Sequence, residues 1–465
     1  MSTDTFDVIV IGAGPAGENA AGRCAEGGLS VAIVERELVG GECSFWGCMP
    51  SKALLRPGDA VAAARRVPGA AEAVGDTIDV AAALAWRDSI VGDWDDAGQL
   101  PWLEERNIAL VRGAGRLAGE RVVDVDGGNG ETRRLLAERA VVVATGTKPA
   151  IPPIPGLAEA RPWDNRSVTA AKDVPRRLLV LGGGAIGAEM AQAMRRLGSD
   201  EVTVVEGMDR LLGREEPFAG KEVQEAFEAE GIRVITGAKM SAVERPPGAA
   251  PLLATLEDGT VLDADEILVA VGRKPNTADI GLDTVGLAAG KPIDVDDRLR
   301  AKGVPGDWLY AVGDCNGVAL LTHIGKYQAR IAGDVILGKD SRDVASRDIV
   351  PRVTFTDPQV CAVGLTEAQA CQRGLQVTVV DHPTGGVAGG SVTAKGFPGT
   401  SRLVIDEQRR VLVGATFVGS GTADLLHSAT VAIAGGVTLD RLWHAVPSFP
   451  TVSEVWLRLL ETYGL

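Results

Sequence analysis

Two cysteines five residues apart carry the most chemistry in this chain, in the segment Gly40-Gly41-Glu42-Cys43-Ser-Phe-Trp-Gly47-Cys48-Met-Pro50-Ser-Lys52. On an ideal helix five residues turn the second thiol about 140° away from the first, so a bond between them requires a distorted turn. Gly47 and Pro50 supply such an irregularity. Three uses of the pair are open: a redox couple, half of a zinc site, or two packed thiols. Zinc asks for a second ligand pair at similar spacing. Neither Cys361 and Cys371 nor the scattered His323, His382, His427 and His444 offers one, so no metal site is expected. With Cys24 and Cys315 the chain has 6 cysteines, and only Cys43 and Cys48 are closely spaced.

The elements that must position this pair announce themselves as a repeat. Val8-Ile-Val-Ile-Gly12-Ala-Gly14-Pro-Ala-Gly17 returns as Leu178-Leu-Val-Leu-Gly182-Gly-Gly184-Ala-Ile-Gly187. Each copy is an apolar strand that breaks into glycines and continues as a helical pattern. Each then reaches a second β-rich run ending in an acid, Val31-Ala-Ile-Val-Glu35 and Val202-Thr-Val-Val-Glu206. In a dinucleotide-binding turn the first glycine makes the bend, the second lets the backbone approach a pyrophosphate, and the third lets helix and strand pack closely. The carboxylates of Glu35 and Glu206 would accept from ribose hydroxyls. Two dinucleotide-binding units follow.

Further along, Ala140-Val-Val-Val-Ala144-Thr145-Gly146 reads as a strand that runs into Pro149, Pro152, Pro153 and Pro155, a stiff connection. A similar strand, Glu266-Ile-Leu-Val-Ala-Val-Gly272, ends in Arg273-Lys-Pro-Asn-Thr277, and a third, Trp308-Leu-Tyr-Ala-Val-Gly313-Asp314, opens a helix-rich stretch to about Gly338. From Val350 the texture changes to strands, with helical runs at Asp424 to Gly435 and Val452 to Tyr463, which predicts a separate α+β domain.

The bulk composition agrees with a multi-domain globular protein. The 465 residues are 45% hydrophobic and 23% charged, and Gly alone accounts for 59 of them. A formal net charge of −15 works against nucleic acid or anionic membrane as a partner. A dinucleotide is anionic too, but helix N-termini hold it without bulk positive charge. The first residues, Met1-Ser-Thr-Asp-Thr-Phe-Asp7, carry acids where an export signal carries bases, and no apolar run nears the roughly 18 residues of a membrane span. The expected location is the cytoplasm, where structural disulfides are unusual.

Taken together these motifs resemble the class I pyridine nucleotide-disulfide oxidoreductases, the family of dihydrolipoamide dehydrogenase, glutathione reductase and mercuric reductase. The likeness runs from about Phe6 to Leu465 and includes Phe355-Thr-Asp-Pro-Gln359 and Val363-Gly-Leu-Thr-Glu367, which resemble the start of a dimerisation domain. It implies an α/β architecture of two Rossmann-like dinucleotide-binding domains plus a C-terminal α+β dimerisation domain. The expected boundaries are residues 1–155 for the first part of the FAD-binding domain, 156–278 for the NAD(P)-binding domain, 279–345 for the rest of the FAD-binding domain, and 346–465 for the interface domain. It implies that FAD is held by Gly12, Gly14, Gly17, Glu35, Gly41, Lys52, Ala144, Thr145, Gly146, Gly313 and Asp314, and NAD by Gly182, Gly184, Gly187, Glu206 and Gly272. Asp314 would bind the ribityl chain, Lys52 would lie near flavin N5 paired with Glu189, Cys48 would face the flavin and Cys43 the substrate. A homodimer is implied as well.

The resemblance has one departure. The family's acid–base motif reads His-Pro-Thr-x-x-Glu, contributed by the partner subunit, and this chain has Phe449-Pro450-Thr451-Val-Ser-Glu454. His444 lies upstream, up to roughly 17 Å away along an extended chain. Mercuric reductases also lack that histidine but carry a C-terminal cysteine pair, and Glu461-Thr-Tyr-Gly-Leu465 has none. The expected activity is transfer of electrons from NADH, in preference to NADPH, through FAD to a Cys43–Cys48 disulfide and on to a small disulfide, quinone or other electrophilic acceptor. The alternatives are a diaphorase, quinone reductase or transhydrogenase-type flavoenzyme, or a non-catalytic redox-sensing flavoprotein.

Overall fold

The apolar run at Val8 to Ile11 is continuous, not alternating, which marks a strand covered on both faces. In the computed structural model, which describes residues 3–128, 130–246 and 251–465, that strand spans Thr3–Ile11 and Val8, Ile9 and Val10 are fully buried. The chain divides into two units.

The first unit comprises Met1–Pro50, Asp88–Pro149 and Gly272–Arg347. Its sheet places Ile108–Arg112, Val31–Glu35, Thr3–Ile11 and Thr132–Val143 side by side in parallel, with Val8 opposite both Val31 and Ala140. Leu309–Ala311 adds to the end of Thr132–Val143 in parallel, and Val122–Asp126 and Ala114–Leu117 continue the sheet antiparallel. The strand predicted at 140–146 is longer and ends earlier, at Val143. Ala144, Thr145 and Gly146 leave the sheet there, and Gly146 takes the left-handed φ of +68° that turns the chain away. Helix Pro15–Glu26 packs on this sheet, and Thr322–Ile336 packs on that helix.

The second unit comprises Ser51–Arg87, Ala150–Val271 and Asp348–Leu465. It repeats the parallel plan with Ile232–Ile235, Glu201–Val205, Arg177–Leu181 and Glu266–Val269, and Ala185–Arg196 follows the glycine turn as Pro15–Glu26 does in the first. A separate five-stranded antiparallel sheet is ordered Arg352–Thr354, Gln359–Gly364, Val411–Gly419, Thr400–Asp406 and Val377–Pro383. Ala423–Ala434 and Val455–Tyr463 bury Leu425, Leu426, Leu459 and Leu460 against it. The final helix was read from Val452; Val452–Glu454 forms a tighter 3-10 turn, and α-helical geometry starts at Val455. Among the described residues no helix is long and apolar enough to cross a membrane.

Candidate functional site

The two glycine turns are built alike, bond for bond. Gly12 donates to Val34 O at 2.8 Å and Gly182 to Val205 O at 2.8 Å. Their φ angles are +102° and +108°, and a Cβ on Gly17 or Gly187 would lie 1.8 or 1.9 Å from the Gly12 or Gly182 oxygen. No larger residue fits without pushing helix from strand.

Sequence reasoning missed what the acids do inside each turn. Glu35 accepts from the backbone N–H of Ala13 and of Glu37, both at 2.7 Å, and Glu206 accepts from Gly183 at 2.6 Å and Met208 at 2.8 Å. Each carboxylate therefore ties the glycine loop to the end of the next strand. A carboxylate has about four lone-pair sites, so two backbone bonds leave room for ribose hydroxyls.

The first turn meets the redox segment. Gly41 has φ +58°, and a Cβ there would come within 2.8 Å of Gly14 Cα, so two bare backbones border the start of helix Pro15–Glu26. That helix begins at Gly14 with no side-chain cap, which leaves its positive end for an anion. Nearby polar groups are also poised for a ligand. Thr145 Oγ1 is buried with no partner among the described residues. Asp314 is pushed above the usual carboxylate range by burial, opposed by the 2.8 Å hydrogen bond that Thr147 Oγ1 donates to it and by Arg273. Arg273 donates in turn to Thr147 Oγ1 at 2.6 Å and pairs with Glu42 at 3.3 Å. The N–H of Gly313, beside Asp314, donates to Gln328 Oε1 at 2.9 Å. An uncapped helix end, a glycine cradle and an orphaned hydroxyl fit FAD.

The redox segment is irregular at Gly47 as expected, but Pro50, named with it, sits in the first turn of the following helix, where its missing N–H costs no bond, and makes no break. Helix Gly41–Phe45 carries Cys43, Trp46 and Gly47 interrupt it, and Cys48 opens the next helix, Cys48–Arg65. A Cβ on Gly47 would sit 3.0 Å from Glu42 O, so any larger residue there would crowd the interruption. Both cysteines are partly exposed free thiols. They share a hydrogen bond, and this contact, with burial second, holds the Cys43 thiol well above the usual cysteine range. Cys48 Sγ also lies 3.3 Å from Thr322 Oγ1, at the start of helix Thr322–Ile336. Nothing local in the sequence pointed to Thr322.

In the second unit Lys52 Nζ reaches Glu189 Oε2 at 2.7 Å, and Glu189 Oε1 accepts from Phe355 N at 2.9 Å. The Lys52 ammonium also stands 4.7 Å from the centre of the Phe355 ring. Gly184 starts helix Ala185–Arg196 with no side-chain cap. Gly272, which belongs to the first unit, has φ +146° and open space around it. Glu454 accepts from Gly389 N at 3.1 Å, and Phe449 is 76% exposed. His444, after the short helix Leu439–Leu442, is exposed.

Comparison with known proteins agrees with this geometry. Residues 6–330 match the pyridine nucleotide-disulphide oxidoreductase family, and residues 350–459 match its dimerisation domain. The chain is 35% identical to the dihydrolipoyl dehydrogenase of Thermus scotoductus, over 98% of this chain and 97% of that one. It is 32% identical to the mercuric reductase of Staphylococcus aureus, over 97% of this chain and 81% of the relative. Among solved structures, LpdA from Mycobacterium tuberculosis superposes with a TM-score of 0.87 at 25% identity, covering 99% of this chain and 100% of that one. The flavoprotein disulfide reductase RclA from Escherichia coli shares the fold, with a TM-score of 0.84 at 24% identity over 98% and 99% of the two chains. With the repeated turn, the paired cysteines and the dimerisation domain accounted for, the chain belongs to the pyridine nucleotide-disulphide oxidoreductase family, as a flavoprotein of the lipoamide dehydrogenase/mercuric reductase class.

Proposed function

We propose that the enzyme oxidises NADH and reduces a Cys43–Cys48 disulfide, which then passes its electrons to an external acceptor. The observation that carries this reading is the contact between the two thiols, with Cys48 also held by Thr322. NADH, one proton and the disulfide give NAD⁺ and two thiols, so atoms and electrons balance. Bound FAD supplies the two-electron relay between nicotinamide and sulfur. Gly12, Gly14, Gly17, Gly41, Glu35, Ala144, Thr145, Gly146, Gly313 and Asp314 would hold it, with Lys52 fixed against Glu189. Gly182, Gly184, Gly187, Glu206 and Gly272 would hold NADH. Glu206 favours a free 2′-hydroxyl over a 2′-phosphate, and Arg210 is committed to Asp209 and the Gly213 carbonyl, at 3.2 and 3.1 Å. The exposed Val392, Val431, Trp443, Val446 and Phe449, all within the dimerisation domain, support a homodimer.

In this reading Cys48, with the Thr322 hydroxyl 3.3 Å away to donate to it, keeps the negative charge and Cys43 exchanges with the acceptor. Phe449 occupies the position of the family's acid–base histidine, so proton delivery to a departing thiolate is slow. The same exposed Phe449, with the exposed Val446, favours a second reading in which an aromatic acceptor such as a quinone is reduced without the cysteines. NADH oxidation by wild type and Cys43→Ser, assayed with lipoamide, small disulfides, quinones and metal ions, separates the two. Loss of turnover with every acceptor supports the cysteine route, and full quinone turnover in Cys43→Ser supports the direct one.

A further inference from the structure

The helix that carries Cys43 is too short to hold itself. Gly41–Phe45 has 5 residues, whereas isolated helices below roughly 12–15 are marginal in water. Its N-cap, Gly40, has φ +111° and offers no side chain, and after Phe45 the chain breaks at Trp46 and Gly47. The last carbonyls of a helix have no partner within it, so this one needs support from outside at both ends.

One turn of the same unit supplies both supports. Trp94 Nε1 donates to the carbonyl of Phe45, the last residue of the helix, at 3.2 Å. Asp96 Oδ2 accepts at 2.7 Å from the N–H of Val39, just ahead of Gly40. Asp96 is buried and pairs with Arg112 at 2.7 Å, and Arg112 donates at 2.9 Å to Glu37 O. Two side chains two positions apart therefore grip the redox helix front and back.

The turn reaches this geometry under strain. Gly92, Asp93 and Trp94 have φ +56°, +52° and +59°, three successive left-handed residues of which only the first is glycine. In that region the Cβ of an L residue crowds the following carbonyl oxygen, and a bulky side chain there is an outlier. Such strain persists only where the surroundings hold it, and it gathers at functional sites. Here the buried Val91 and Asp96 anchor the turn on either side, and the indole that the strained backbone aims makes its bond to the segment between the two cysteines.

We propose that Trp94 is a positioning residue: through the Phe45 carbonyl, and with Asp96 at Val39, it fixes helix Gly41–Phe45 so that Cys43 stays against Cys48, and so sets how strongly reducing the pair is. This rests on the reading of Cys43 and Cys48 as a redox pair. A released helix gives the dithiol conformational freedom that closing the disulfide must remove, so the grip favours the disulfide and lowers the midpoint potential.

The test equilibrates holoenzyme anaerobically with graded ratios of reduced and oxidised dithiothreitol. Each dithiothreitol gives two electrons and two protons to the Cys43–Cys48 disulfide and closes into its own cyclic disulfide. The dithiol fraction is read by alkylation after an acid quench, with the peptides located by mass spectrometry and FAD content measured alongside. Trp94→Phe, which keeps an aromatic ring and loses the donor, is expected to move the balance about tenfold towards the dithiol, a rise in midpoint of about 30 mV. Asp96→Ala should move it the same way. Trp102→Phe, which removes an indole from helix Leu100–Glu105 of the same unit, should leave it at the wild-type value. An unchanged or lowered midpoint in Trp94→Phe at full FAD content, or an equal rise in Trp102→Phe, overturns the proposal. Should Trp94→Phe shed its FAD, Asp96→Ala decides, and a wild-type midpoint there overturns it. If wild type forms no Cys43–Cys48 disulfide at any ratio, the redox-pair reading itself fails and takes this proposal with it; an intact pair with unmoved midpoints in the variants rejects only the role of the turn.

Discussion

The sulfur of Cys48 lies 3.3 Å from the hydroxyl of Thr322, a residue 274 positions away in the chain. A hydroxyl in that place donates to a thiolate and favours its charged form. After anaerobic reduction by NADH, a long-wavelength absorbance band is expected from Cys48 thiolate beside oxidised FAD. Cys43→Ser should keep a form of the band and Cys48→Ser should lose it. Thr322→Val should raise the pH at which the band develops by about one unit. A band indifferent to Thr322 contradicts the assignment.

Phe449 predicts a split between the half-reactions. Hydride transfer needs no imidazole, so NADH should reduce the enzyme rapidly while lipoamide or glutathione disulfide turns over slowly. Phe449→His should raise lipoamide turnover about 10²-fold or more. Because the hydrogen bond to Cys48 and burial both raise the Cys43 pKa, its thiolate fraction grows with pH, and wild-type disulfide turnover should keep rising through the alkaline range. If wild type already works at ordinary disulfide-reductase rates and the histidine adds nothing, another group serves as acid–base, with His444 the first suspect.

Coenzyme choice should follow Glu206. Its carboxylate is fixed by the N–H groups of Gly183 and Met208 and cannot swing away from a 2′-phosphate without releasing the loop. A preference for NADH of at least about tenfold in kcat/KM is expected, equivalent to about 1.4 kcal/mol. Steady-state kinetics with both coenzymes check it, and comparable values contradict it.

The fold was legible wherever the backbone allows one residue type. Gly12, Gly17, Gly182 and Gly187 each face a backbone oxygen within 2.7 Å of where a Cβ would go, so the repeat stands out in the sequence. The bend between Cys43 and Cys48 was legible for a similar reason, through Gly47. Thr322, Thr147, Arg273 and Phe355 were not, because each meets its partner through topology: Thr147 and Asp314 are 167 positions apart. The backbone bonds of Glu35 and Glu206 went unread because the spacing that suits a ribose hydroxyl also suits the loop amide beside it.

A homodimer should persist at assay concentrations, since an obligate interface of this kind buries on the order of 2,000 Å² or more. Analytical ultracentrifugation under assay conditions checks this, and a fully active monomer contradicts it.

The central claim is that electrons from NADH come to rest on sulfur. Anaerobic titration of air-oxidised holoenzyme with NADH, counting thiols and recording the flavin spectrum at each step, tests it most directly. The first equivalent should expose two new thiols, located at Cys43 and Cys48, while the flavin stays largely oxidised. Bleaching of the flavin by that first equivalent with no change in thiol count would contradict the account.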